Sequence, residues 1–147
     1  MKNKLALIIT ILGVMFLIFF FAMAYDNIKK ENEQKELEYE TNYDSYETIN
    51  FDTIDKAITN NNASAKNQYQ DKIYIFEGEV TRISDKNTID VEQFYDDYGL
   101  EVTVRLKDSQ ESKVLSLNKG DHVKFFGKVN LNVIFGFMEV DDAIIIE

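Results

Sequence analysis

Two stretches of this chain alternate apolar and polar side chains, and each places a glycine on its apolar side. In KIYIFEGEVTRI (72–83), Tyr74, Phe76, Gly78 and Val80 share one face. After the Lys119-Gly120-Asp121 turn, Val123, Phe125, Gly127 and Val129 share another, opposite His122, Lys124, Phe126 and Lys128. A period of two marks a strand with one buried side. Glycine on that side packs nothing and weakens a flat strand, so its use is at a sharp bend or where another backbone comes close. Few sheets need two such strands, and a strongly coiled barrel is one of them.

The rest of the C-terminal region supplies partners. LEVTVRL (100–106) alternates cleanly, with Leu100, Val102, Val104 and Leu106 inward and Glu101, Thr103 and Arg105 outward. KVLSL (113–117) and FMEVDDAIIIE (137–147) add two more β-rich runs. Together these predict five antiparallel strands, closed as a small sandwich or barrel. Ahead of them, Phe51, Ile54, Ala57 and Ile58 form a stripe at helical spacing. Asn50 is placed to cap that helix, and Asp52 and Asp55 suit the positive end of its dipole. The helix either stops near Asn60 or continues one face through Ala65 and Tyr69.

The order of these parts resembles a known family. A helix is followed by Asn61, Ala65, Tyr69 and Lys72, then by Gly78, Val80 and Ile83, then by Leu117, Gly120, Asp121, Val123, Gly127 and Val129. That series is similar to the tRNA-anti-like OB-fold domains, common in bacterial envelope proteins, over residues 50–147. Gln70-Asp71 departs from the Lys-Gly often found there. The resemblance implies a mainly β, five-stranded antiparallel Greek-key OB barrel preceded by one α-helix. It brings no catalytic or ligand residues with it.

The N-terminus supplies an address. Lys2 and Lys4 precede an uncharged apolar run from Leu5 to Ala24. Twenty helical residues rise about 30 Å, the depth of a bilayer's hydrocarbon core. The expectation is a signal-anchor that spans a membrane through residues 5–24, with the C-terminal domain extracytoplasmic. Ala22-Met23-Ala24 also fits a signal-peptidase site, and cleavage after Ala24 would make the protein secreted. Lys29 and Lys30 nearly balance Lys2 and Lys4, so charge alone leaves the orientation open. Residues 25–50 hold eight acidic and three basic residues and read as an acidic stalk or linker. The expected organisation is therefore 1–24 anchor or signal, 25–50 stalk, and 51–147 OB domain with its N-terminal helix. The chain has no cysteine, so neither a lipid-modified cysteine nor a disulfide is available to it.

Charge bears on the ligand. Residues 51–147 carry 18 acidic and 11 basic residues, whereas a barrel that tracks a phosphate backbone offers a basic groove with aromatic platforms. Nucleic acid is therefore not the expected partner, although Lys119, Lys124 and Lys128 lie close enough in sequence to form a local patch. As a solvated strand edge they would discourage edge-to-edge pairing.

Catalytic chemistry finds few residues. His122 has no cysteine partner and no nearby serine nucleophile pattern. Glu77/Glu79 and Asp141/Asp142 are carboxylate pairs of a kind common in an acidic chain. No metal or cofactor motif is present, and DKNTIDVEQFYDDYG (85–99) lacks the central glycine and final glutamate of an EF-hand loop. That stretch is nonetheless the most unusual one, expected as a loop or hairpin extension joining two barrel strands. It sets Phe94, Tyr95 and Tyr98 beside Asp96 and Asp97, either as a lid on the barrel or as a recognition loop at its rim. The resulting expectation is a non-enzymatic binding or assembly module that recognises a protein or other envelope component through 94–98. A membrane-associated protein binding single-stranded DNA or RNA is the alternative.

Overall fold

The computed structural model describes residues 2–95, 98–132 and 137–147, with side chains from Val14 onward apart from Tyr98 and Phe137. The chain divides into two compact units, Met1–Asn42 and Tyr43–Glu147.

The first unit is one helix, α1 (Lys2–Thr41). It runs through the expected boundary at Ala24 without a break, because nothing in the acidic stretch stops it. There is no proline, and ion pairs one turn apart, Lys29–Glu33 at 3.6 Å and Lys35–Glu31 at 2.7 Å, support the exposed part. Residues 25–41 are thus helical. Among the described residues no helix is long and apolar enough to cross a membrane.

The second unit is a five-stranded sheet that closes on itself in the order β1-β2-β3-β5-β4. β1 (Ile73–Asp85) is long and serves two partners. Its first half pairs with β4 (His122–Asn132), from Ile73↔Lys128 to Glu79↔His122. Its second half pairs with β2 (Thr88–Tyr95), from Glu79↔Glu92 to Asp85↔Thr88. β3 (Tyr98–Leu106) follows β2, and β5 (Phe137–Ile145) lies between β3 and β4.

Three expectations are corrected. The sheet is not antiparallel throughout, since β3 and β5 run parallel. Five strands in a ring cannot all oppose both neighbours, so one parallel pair is unavoidable. The loop or hairpin extension expected over 85–99 is mostly strand, and forms part of the β2–β3 hairpin: a tight turn at Lys86-Asn87, with Asn87 N–H donating to Asp85 Oδ1 at 3.0 Å, leads straight into β2. KVLSL, expected as a strand, starts in a short helix, α3 (Glu111–Val114), which follows a 3-10 turn at Asp108–Gln110. Val114 is buried and Leu117 packs against the core while Leu115 is 70% exposed, which is the spacing of a helical turn and not of a strand.

The two glycines stand where backbones converge. A Cβ on Gly78 would lie 2.7 Å from the Glu92 carbonyl oxygen, at the point where β1 passes from β4 to β2. One on Gly127 would run into Val140 Cγ1 and sit 3.1 Å from the Asp141 carbonyl oxygen. Opposite Gly127 the β4–β5 register shifts between Phe126↔Ile144 and Lys128↔Asp141, and Asp142 takes a φ of 52° in the extra residue. Aspartate tolerates that left-handed conformation better than most residues do.

Helix α2 (Phe51–Tyr69) closes one end of the barrel. Phe51 inserts its ring against Phe76 and Phe125, with centroids 5.1 and 6.5 Å away. Ile54, Ile58, Ala65 and Tyr69 continue the buried face, so the helix does extend past Asn60. It does so with a kink at Asn61 (φ −160°, ψ 92°), whose side-chain oxygen accepts from Ser64 N–H at 3.1 Å and caps the second segment.

Candidate functional site

The outward surface of β2, β3 and β5 is a charged network. Asp90 points outward from β2 yet is almost completely buried, because Arg82 lies over it (Nε to Oδ2 2.5 Å) and Thr103 donates to its Oδ1 at 2.8 Å. Thr81 donates to Glu101 at 2.6 Å. Arg105 grips Glu139 with both arms of its guanidinium, at 2.6 and 2.7 Å, and reaches Asp141 at 3.0 Å. The hydrogen bonds to Glu139 and then Asp141 hold the Arg105 guanidinium well above its ordinary pKa. Two-armed pairs of this kind are the strongest that arginine makes with carboxylates. Both arginines of the chain are therefore engaged by carboxylates on this surface.

The β4 lysines behave alike: Lys124 pairs with Glu77 at 2.9 Å and Lys128 with Asp142 at 2.9 Å. His122 is exposed at the start of β4, across from Glu79. No group of three metal-ligating side chains occurs among the described residues.

At its end, β2 meets the start of α2. Asn50 makes no side-chain cap bond. The cap comes instead from β2: Gln93 Oε1 accepts from Phe51 N–H at 2.8 Å, and the Tyr95 hydroxyl accepts from Asp52 N–H at 3.0 Å. Tyr95 also donates to Gln93, and Gln93 donates to the Glu77 carbonyl, so one polar relay ties α2, β2 and β1 together. Burial raises the pKa of the Tyr95 phenol.

The aromatic residues named from sequence thus separate. Tyr95 is half-buried and structural, whereas Phe94, beside it, is 66% exposed. Asp96 and Asp97 lie outside the described residues, and Tyr98 is described by its backbone alone, opposite Tyr95 at the start of β3. A cleft of about 460 Å³ opens beside Phe94, walled by Tyr95, Glu77, Glu79 and Glu92. Its carboxylates come from β1 and β2, and the pairing Glu79↔Glu92 brings them together.

A family model matches the chain over residues 1–136, described as tRNA_anti-like. The chain belongs to the tRNA_anti-like family. No curated protein matches the sequence. Among solved structures, a lipoprotein from Klebsiella pneumoniae subsp. pneumoniae, provisionally described as nucleic acid-binding, superposes with a TM-score of 0.53 at 15% identity. The match covers 70% of this chain and 93% of that one. The asparaginyl-tRNA synthetase of Pyrococcus horikoshii matches at a TM-score of 0.45 and 16% identity, over 69% of this chain and 23% of that one. The first likeness supports the OB-like fold of this tRNA_anti-like chain, and the second carries no argument.

Proposed function

We propose that this tRNA_anti-like chain is a membrane-held OB-fold recognition module without catalytic chemistry of its own. Its anchor is the apolar run Leu5–Ala24 of α1, and its OB domain faces the extracytoplasmic side, where it binds a protein or other envelope component. The recognition residues are Phe94 and Tyr95 together with Asp96, Asp97 and Tyr98, which follow them in sequence. Phe94 is the anchor ring among them, because Tyr95 is occupied in capping α2. Exposed aromatic rings are frequent anchors in protein interfaces.

One observation carries the choice of partner class. OB barrels that bind oligonucleotides use the face of strands 2 and 3, and here that face is acidic, with Arg82 and Arg105 both committed to carboxylates. A phosphate would have to displace Glu139 and Asp141 from Arg105 and would meet their charge on arrival. The same field would steer a basic protein surface, at a rate that falls as salt rises. The alternative, single-stranded DNA or RNA, draws on the description of the Klebsiella lipoprotein and asks for a basic groove.

The test places a photo-crosslinking phenylalanine analogue at position 94 of the full chain in cell membranes. Trapping of one discrete protein or envelope component is expected. Absence of any adduct, or an adduct with nucleic acid, contradicts the proposal.

A further inference from the structure

Residues 43–49 do more than connect two helices. Tyr43–Ser45 form a single 3-10 turn, and the chain then runs along β1. Ile49 donates its N–H to the Ile75 carbonyl at 3.0 Å, and Ile75 donates to the Glu47 carbonyl at 2.9 Å, making a parallel bridge between Thr48 and Ile75. The edge they use is open for a topological reason. β2 joins β1 only from Glu79 onward, so the first half of β1 has β4 on one side and no strand on the other. A strand residue directs its N–H and C=O to the same side, and Ile75 turns both away from β4.

The side chains reinforce the bridge. Phe126 points outward from β4, on the face expected to be solvated, yet its exposure is 0%. In register with it are Ile75 on β1 and Ile144 on β5, giving an apolar stripe across three strands. Tyr43 stacks on Phe126 with centroids 6.0 Å apart, and Tyr46 lies tilted against it at 5.5 Å.

We propose that the open β1 edge at Ile75 and the Phe126 stripe form an acceptor site for a segment that presents two aromatic side chains three residues apart across a 3-10 turn and then runs extended along β1. Residues 43–49 are its resident occupant, a clasp that a partner segment of the same pattern displaces. Strand addition of this kind draws affinity from main-chain bonds and specificity from side-chain pockets. The occupant in place shows what the site accepts. Its main-chain tie to β1 is two bonds at Ile75, with two half-buried rings and Ile49 packed beside them, where the barrel strands are joined by continuous ladders. Segments so attached open locally, far below the free energy of global unfolding. A clasp that merely guards a sheet edge would share this geometry but would not exchange with a free peptide.

The experiment uses the full chain in detergent micelles and a fluorescent peptide with the sequence of residues 42–50. A tethered occupant competes at millimolar effective concentration, so the native chain binds the peptide weakly, and a Tyr43→Ser/Tyr46→Ser chain binds it at least about tenfold more tightly. A peptide with both tyrosines replaced by serine does not bind. A folded variant that gains no affinity overturns the proposal. Should the variant lose its barrel, hydrogen exchange on the native chain decides. The Ile49 and Ile75 amides are expected to exchange at least about tenfold faster than the β4–β5 ladder, and exchange at the same rate overturns the proposal.

Discussion

At the scale of single residues, the two strand glycines answer for the curvature of the sheet. Each glycine faces a valine methyl, of Val91 at Gly78 and of Val140 at Gly127, but the nearest backbone oxygen would lie 2.7 Å from a Cβ at Gly78 and 3.1 Å from one at Gly127. Gly127→Val is expected to destabilise the protein by more than the ~1 kcal/mol span of strand propensity, although valine is the better strand former. A denaturant titration of the full chain that finds Gly127→Val neutral or stabilising would count against the bend. Gly78→Ala should cost more than Gly127→Ala in the same assay, since the backbone approaches more closely at Gly78. These positions were legible because a glycine inside a clean alternation has few other uses. Phe126 was not legible: its alternation places it outward, and what buries it arrives from Tyr43 and Tyr46, some 80 residues earlier in the sequence.

At the scale of elements, pattern served where it was long. β1, β3 and β4 and the buried stripe of α2 follow from periodicity over seven or more residues, and β5 from a long β-rich run. β2 was hidden although Ile89 and Val91 alternate with Asp90 and Glu92, because its acidic residues and flanking turn residues resemble a loop. The burial of Asp90 depends on Arg82 and Thr103 from the neighbouring strands. KVLSL is too short to separate a strand from a helical turn, and what holds α3 is distant: Lys113 Nζ donates to the Ile145 carbonyl at 2.6 Å and Gln110 accepts from Ile145 N–H at 3.2 Å. Asn50 does stand at the N-cap position of α2, but the side-chain bonds there come from Gln93 and Tyr95, equally distant in sequence. Tyr95→Phe removes the acceptor for Asp52 N–H and is expected to lower stability by about 1 kcal/mol. Asn50→Ala should change it by less than about 0.5 kcal/mol, because its side chain makes no cap bond. Equal losses for the two variants in urea titrations would return the cap to Asn50.

At the scale of the whole molecule, the proposal joins an anchor, a helical spacer and an acidic barrel. Protease added to intact protoplasts should remove the OB domain and leave the anchor. Full protection would place the domain on the cytoplasmic side, and release of a soluble product beginning at Tyr25 would mean that the segment is cleaved. The acidity of the barrel was visible in composition, but not that Arg82 and Arg105 are both held by carboxylates on one face, which needs the register of β1, β2, β3 and β5. That arrangement is the centre of the functional account, and fluorescence titration of the full chain with single-stranded oligonucleotides at low salt tests it most directly. No saturable binding to DNA or RNA is predicted. Saturable binding that weakens linearly in log–log fashion with added salt would show a phosphate-tracking surface and contradict it.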